Sequence, residues 1–415
     1  MEEAVFIGFL AGWLCYRFGV GARFSWEMPP RSTVFAQVTS VLFPAEFARC
    51  VDEFPMPRCS RSFSAYDHFL SLCYAQLTYR ESLRDIIICL SARPELQYRM
   101  GFRGRVTRTN LAYANEKRDW RVFAAVAQVL MRRARKLYQH ELNDSPLVAF
   151  ALDASIIHLS VRLFPWAYWG RSKAGALKLH TLLALRGSIP VWALLTEASF
   201  QDMKTLDEIP VQAGAFYVMD RGYLDFRRLI RLENQGAWFV VRNKRHVRFR
   251  VIESRTVDKQ SGLRCDQTIR LVTPWSLRAY PQVLRRIRCR DVEQGRSFVF
   301  LTNNFEVEPE LICDLYKHRW QVELFFKWVK QHLRIRNFFG RSRNAIHCQV
   351  WTAICAYLLV AITKKEHGIN RSLHEMLQII SVSAFEEIPL KELFSKAPAS
   401  LTHSESITAP SLLGF

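Results

Sequence analysis

Two hydrophobic runs of strand length, each closing on an aspartate, constrain the fold of this chain more than any other feature. Leu147–Leu152 runs into Asp153, and Ala215–Met219 runs into Asp220. Between them, Lys178–Leu185 and Pro190–Leu195 read as two more strands, joined by the turn residues Arg186, Gly187 and Ser188. A short helix over 203–209, a helix from Leu224 to Gln235 and a strand over Trp238–Arg242 follow. That order predicts an α/β unit with a mixed sheet. An acid at a strand end emerges at the working edge of such a sheet, whereas a mid-strand acid is buried at high cost. Asp153 and Asp220 are therefore expected at strand ends.

A third acid lies on a helical pattern at 309–334, in the spacing Y-x2-R-x3-E-x6-K. At about 100° per residue, Tyr316, Arg319, Glu323 and Lys330 share one helix face beside an apolar stripe of Leu315, Val322, Phe326, Val329 and Leu333. Such a row of phenol, guanidinium, carboxylate and ammonium suits a metal ion and phosphates. Taken alone, Arg319–Glu323 and Glu323–Lys327 are also the i,i+4 pairs of any solvated helix.

Charge narrows the choice. The 415 residues carry 58 Lys+Arg against 38 Asp+Glu, a net +20, which implies a polyanionic partner, most simply nucleic acid. The 10 cysteines are scattered without a C-x2-C pair, which argues against a zinc finger and fits a reducing cytoplasm. Residues 1–32 form an unassigned extension. Its apolar stretch Ala4–Cys15 is too short to span a bilayer and follows two glutamates, so no stable membrane association is expected.

Residues 33–140 read as a helical, basic unit. Helical patterns cover Phe35–Val51, Tyr66–Leu77, Ser82–Leu90 and Trp120–Tyr138. A flexible connector over 101–110 offers Arg105 and Arg108 to phosphate, and the last helix ends in Arg132, Arg133, Arg135 and Lys136. The α/β pattern occupies 147–242. Residues 243–305 read as a β-rich insertion of short strands (249–252, 268–273, 283–290 and 298–301), basic at Arg245 and its neighbours. The helical pattern resumes over 306–365, including Ala345–Thr363, and 366–415 reads as a helical segment trailing into disorder.

Three carboxylates from two strand ends and a helix can hold two divalent cations, and magnesium suits oxygen ligands and phosphate partners. Leu152-Asp153-Ala154-Ser155, then Tyr217-Val218-Met219-Asp220-Arg221-Gly222-Tyr223, then Tyr316, Arg319, Glu323 and Lys330 in their spacing resemble the DDE transposases of the bacterial IS4 family, the group containing the Tn5 transposase. The front end, with Phe63-Ser64, Gln76–Asp85 and Arg118-Asp119-Trp120, resembles the N-terminal domain of one branch of that family. The resemblance covers about residues 33–395.

The resemblance implies an RNase H-like catalytic core with a mixed sheet, interrupted by the β-rich insertion and preceded by a helical DNA-binding domain. It implies Asp153, Asp220 and Glu323 as the catalytic, metal-binding triad, with Mg²⁺ (Mn²⁺ substituting) and two ions per site. Tyr316, Arg319 and Lys330 are implied as phosphate contacts, with Lys327 beside them. Trp238 and Trp275 are the candidates for stacking on a flipped base. Gln201 stands before Asp202 where relatives tend to carry histidine. The implied function is that of an insertion-sequence transposase: a homodimer that pairs double-stranded terminal inverted repeats, cuts them and joins them to target DNA. The setting would be a bacterial cytoplasm, at the nucleoid when bound to DNA. A related nuclease and an inactive DNA-binding derivative stay open as alternatives.

Overall fold

The computed structural model describes residues 32–54, 63–139, 147–169, 174–290, 296–332 and 338–396. The apolar stretch Ala4–Cys15 and the tail from 397 onward lie outside them. The front end comprises α1 (Val34–Thr39), α2 (Pro44–Asp52), α3 (Ala65–Leu77), α4 (Leu83–Ser91), α5 (Pro94–Gln97), α6 (Arg108–Lys117) and α7 (Arg121–Gln139). Side chains of Thr33, Ser64, Ser82 and Thr107 cap α1, α3, α4 and α6 by accepting from backbone N–H groups of the first turn. Two expectations need correction here. The single pattern over Phe35–Val51 is two helices, because Pro44 opens a new one where its missing N–H costs nothing. Arg108 lies on α6 rather than in a flexible connector, since Leu111 and Ala114 anchor that helix in the core.

The sheet is built from β1 (Val148–Leu159), β2 (Tyr168–Trp169), β3 (Ala174–Ala184), β4 (Ile189–Glu197) and β5 (Ala215–Met219). After α8 (Phe226–Asn234) come β6 (Trp238–Arg242), β7 (Phe249–Arg255), β8 (Leu263–Leu271), the short α9 (Pro274–Ala279), β9 (Leu284–Arg290) and β10 (Ser297–Thr302). Its ten strands run β2-β3-β1-β5-β6-β10-β9-β8-β7, with β4 also on β3. Across β4-β3-β1 pairing is antiparallel, and across β1-β5-β6 it is parallel. That five-strand order is the RNase H-like core. The turn at 186–188 forms as expected, with Gly187 at φ +70°, where a Cβ would meet the Tyr138 ring at 2.5 Å. The β-rich insertion is present, but β10 pairs antiparallel with β6, so its strands extend the core sheet.

The remaining elements are α10 (Pro309–His318), α11 (Trp320–His332), α12 (Arg343–Glu366), α13 (Leu373–Ser383) and α14 (Leu390–Lys396). Every side chain from Ala345 to Thr363 on α12 is buried, as befits a helix apolar all round. It is long and apolar enough to cross a bilayer, yet that window is wholly enclosed by protein. Its neighbours include α3 and α7, and one hydrophobic cluster joins front-end residues such as Phe69 and Phe123 to Ile354, Leu358 and the sheet residues Ala151 and Val218. Polar ties reinforce the junction. Asn344 Nδ2 donates to the carbonyls of Asn115 (2.8 Å) and Arg118 (2.7 Å), and the Tyr138 hydroxyl donates to Ala361 O at 3.0 Å. The front end is thus fused to the catalytic half.

Candidate active site

β1 does not end at Asp153; it runs on to Leu159, which corrects the expected position of this acid. What ends there is its parallel neighbour. The last β1–β5 pair is Leu152 with Met219, so Asp153 and Asp220 are the next two residues in register. Alternation along the strands then fixes their direction. Phe150, Leu152, Tyr217 and Met219 enter the cluster under α8, whereas Ala151, Phe216 and Val218 enter the opposite cluster shared with α10, α11 and α12. Asp153 and Asp220 continue the second set, toward the helices that carry the third acid.

The helical segment at 309–332 is likewise two helices meeting at Arg319 rather than one. Its motif residues nonetheless converge on the acids. Arg319 Nη1 donates to Asp153 Oδ2 at 2.7 Å and Nη2 to Glu323 Oε1 at 2.6 Å. The Tyr316 ring lies 4.4 Å from that of Phe300, and its hydroxyl donates to Asp220 Oδ1 at 2.9 Å. α11 is seated on α12 through Phe325 and Trp328, whose rings lie 5.0 and 4.7 Å from that of Tyr357. Tyr357 is anchored in turn by donating to Ser188 O at 2.8 Å. Packing far from the acids therefore sets the position of Glu323.

Burial pushes the Asp153 carboxyl up to about 6; Arg319 and the Ala154 N–H, which donates at 2.8 Å, pull against that, while Glu323 and Asp220 add to it. Burial opposes the charge on Arg319, but the Asp153 carboxylate, Tyr316 and Glu323 more than offset this and keep the guanidinium firmly protonated. Tyr316 is pushed up to about 12, first by burial. Among the described residues no three His, Cys, Asp or Glu side chains gather as a ready-made metal cage. Asp153 and Glu323 are separated by the width of one guanidinium. The donor set is all carboxylate oxygen, which fits a hard divalent ion such as Mg²⁺ once Arg319 shifts.

Arg242, read from the sequence only as one of the basic residues around the start of the insertion, stands beside the acids. Met219 pairs with Val241, so Arg242 is the register neighbour of Asp220, and its guanidinium lies 3.7 Å from Asp220 Oδ1. Arg221, Arg242, Lys244 and the expected Arg245 line a cavity of about 520 Å³ next to that acid. The charge closing the β6 run was the available signal. On α11, Lys327 is exposed and Lys330 half-buried, two turns past Glu323. Arg105 and Arg108 stand exposed at the start of α6. Of the terminal α7 charges, Arg133 pairs with Glu366 at 3.0 Å and Arg135 reaches Gln212, so both tie elements together.

The two tryptophans part company. Trp238 packs at 5.0 Å on Phe216 within the sheet. Trp275 is 55% exposed on α9, beside a groove of about 530 Å³ lined by Arg227, Arg231 and Arg278. Helices α8 and α9 cover the sheet face opposite the triad. Gln201 is exposed, and Asp202 after it accepts from Lys178 Nζ at 2.9 Å.

Comparison with known families places the chain. The Transposase DDE domain family matches residues 144–359, more than half of the chain and all three acids. The chain belongs to the DDE transposase family. The front end, residues 30–103, matches a domain of unknown function, DUF4372. A Sinorhizobium fredii protein named as transposase y4zB is 27% identical over 309 residues, 74% of this chain and 85% of that protein. A Geobacillus stearothermophilus transposase for insertion sequence element IS5377 is 30% identical over 227 residues, 53% of this chain and 59% of that one. A piggyBac transposase synaptic complex with hairpin DNA aligns over 88% of this chain and 80% of its own at 10% identity and a TM-score of 0.40. DDE transposases as a family cut and transfer DNA.

Proposed function

We propose that this DDE transposase moves an insertion sequence by two phosphoryl transfers at one site made of Asp153, Asp220 and Glu323. The observation that carries the reading is the placement of the three acids: Asp153 and Asp220 adjacent in strand register, and Glu323 tied to Asp153 through Arg319. In the first transfer a water oxygen bonds to phosphorus at the element end. The P–O3′ bond breaks, leaving a 3′-OH and a 5′-phosphate. In the second, that 3′-OH gives up its proton as its oxygen bonds to a target phosphorus, a target P–O3′ bond breaks, and the departing target 3′ oxygen takes up a proton to become a 3′-OH. The number of phosphodiester bonds is unchanged in the second transfer, so no covalent protein–DNA intermediate is required.

Bound at the three carboxylates, Mg²⁺ would activate the attacking oxygen and stabilise the departing one. The chain's own residues bind and orient. Arg319 presents a fork to phosphate oxygens, Tyr316 holds Asp220 in place, and Arg221, Arg242, Lys244 and Arg245 offer positive charge where the strand enters. Lys330, Lys327, Arg105 and Arg108 would extend the phosphate track. Trp275 stands exposed among arginines but on the sheet face opposite the acids, and Trp238 serves the sheet, so neither is placed to stack on a base at the cut. The DNA-bound form would be a homodimer holding two ends, since joining both termini requires bringing them together.

The test is incubation of the protein with Mg²⁺, a duplex carrying the element's terminal repeat and a target plasmid. End nicking followed by covalent joining to the plasmid is the expected result. Nicking without joining would point to a nuclease, and binding without either to an inactive derivative.

A further inference from the structure

We propose that Arg319 is an internal cation that occupies the acids until a DNA phosphate draws it away, so that DNA ends and divalent metal load the site cooperatively. The inference rests on reading Asp153, Asp220 and Glu323 as the metal ligands, and it adds how their loading is regulated.

The geometry is that of a competitor. Arg319 reaches Asp153 Oδ2 at 2.7 Å and Glu323 Oε1 at 2.6 Å, so one guanidinium spans the space between the two carboxylates. The other Asp153 oxygen already accepts from the Ala154 N–H, and Asp220 Oδ1 accepts from Tyr316. A divalent ion seated between Asp153 and Glu323 would face a fixed positive group at contact distance, with little water to screen it, since only 13% of the Arg319 side chain is exposed. Metal and guanidinium are alternatives for the same oxygens.

The same residue is poised to leave. Its Nε is buried without a hydrogen-bond partner, so the guanidinium is incompletely satisfied where it lies. Its backbone sits at the α10–α11 junction, where Arg319 N–H donates to Tyr316 O at 3.2 Å, so the main-chain bond at the junction does not involve the guanidinium. The basic cavity beside Asp220 brings a phosphodiester toward the same acids. A phosphate offers the fork two oxygens in bidentate geometry and replaces the lost carboxylate contacts. By linkage, whatever DNA does for metal affinity, metal does equally for DNA affinity. Metal bound without DNA would be disfavoured, which restrains cutting until an end is in place.

The experiment is a Mn²⁺ titration of the full chain, read from the electron paramagnetic resonance signal of free Mn²⁺, with and without an end duplex. Wild type should bind Mn²⁺ weakly alone and about tenfold more tightly with DNA, within the range usual for coupled sites. Arg319→Gln should bind it about tenfold more tightly than wild type without DNA, and DNA should then add less. Arg242→Gln, which removes the same charge 3.7 Å from Asp220 without spanning two acids, should raise DNA-free affinity less than Arg319→Gln does. Circular dichroism confirms that each variant is folded. Unchanged Mn²⁺ affinity in Arg319→Gln, or an equal gain in Arg242→Gln, would overturn the proposal. Asp153→Asn and Glu323→Gln test the underlying reading separately: if either holds Mn²⁺ in the DNA complex as wild type does, the triad assignment fails, whatever Arg319 does.

Discussion

Arg285 in the insertion and Arg319 in the core are both buried against carboxylates, yet their surroundings differ in kind. Arg285 meets Asp266 side-on, Nε to Oδ1 at 2.9 Å and Nη2 to Oδ2 at 2.8 Å, and a further nitrogen donates to Val307 O at 2.6 Å. Both side chains are under 5% exposed. Arg319 instead spreads between two acids and leaves Nε without a partner, and a cavity lined with more positive charge lies beside the third acid, Asp220. The first pair is closed and fixes how β8 meets β9. The second holds acids that repel each other, one of them with its carboxyl pushed up to about 6. Buried ion pairs alone do not mark function.

The largest expected effects set these two sites apart. Asp153→Ala or Glu323→Ala should lower end cleavage at least about a thousandfold, some 4 kcal/mol of barrier, with DNA binding and melting temperature largely kept. Asp266→Ala should do the reverse, costing about 3–5 kcal/mol of stability because it strands a buried guanidinium, while folded molecules cut normally. Nicking assays alongside thermal melts decide. A destabilised Asp153→Ala that still cuts, or a stable Asp266→Ala that does not, would break the comparison.

Arg319→Lys should reduce cleavage by about tenfold, since a point charge does not replace a fork. Unaltered rates would remove Arg319 from phosphate recognition. A smaller effect is expected at Lys330→Ala: the slope of log affinity against log salt for end DNA should flatten by about one unit if one phosphate contact is lost. Parallel salt plots would exclude that contact.

The smallest effect concerns neither arginine. Burial lowers His68 to about 3 and His180 and His347 to about 4, so all three are neutral in the folded chain. Below the ordinary histidine value near 6.5 the unfolded chain takes up protons that the folded one refuses. Stability is therefore fully present above that value and declines as pH falls toward 4. Urea midpoints measured from pH 7.5 to 4.5 should fall gradually; a flat profile would place these imidazoles in contact with solvent.

Much of this architecture was legible in the residues. Continuous apolar runs disclosed β1, β5 and β6, and the Tyr316–Lys330 spacing disclosed the helix face bearing Glu323. Asp153 was misplaced to a strand end because the mixed stretch Ala154–Leu159 lacks an apolar run, although pairing with β3 keeps it extended. The break at Arg319 carries no local signal, since arginine and glutamate favour helix. The Arg319 bridge to Asp153 joins residues 166 apart in sequence, and the Asp266–Arg285 pair depends on strand register. Fusion of the front end to α12 was hidden for a similar reason: an apolar stripe declares burial without naming the partner that covers it.

Asp153, Asp220 and Glu323 are proposed to form one metal site on a DNA-bound enzyme. The most direct test is a crystal structure of the complex with end DNA and Mn²⁺, using anomalous scattering to locate the metal. Peaks at about 2.0–2.3 Å from oxygens of all three carboxylates, with Arg319 turned onto a phosphate, are the predicted result. Manganese bound elsewhere on the DNA complex, with Arg319 still bridging Asp153 and Glu323, would contradict it.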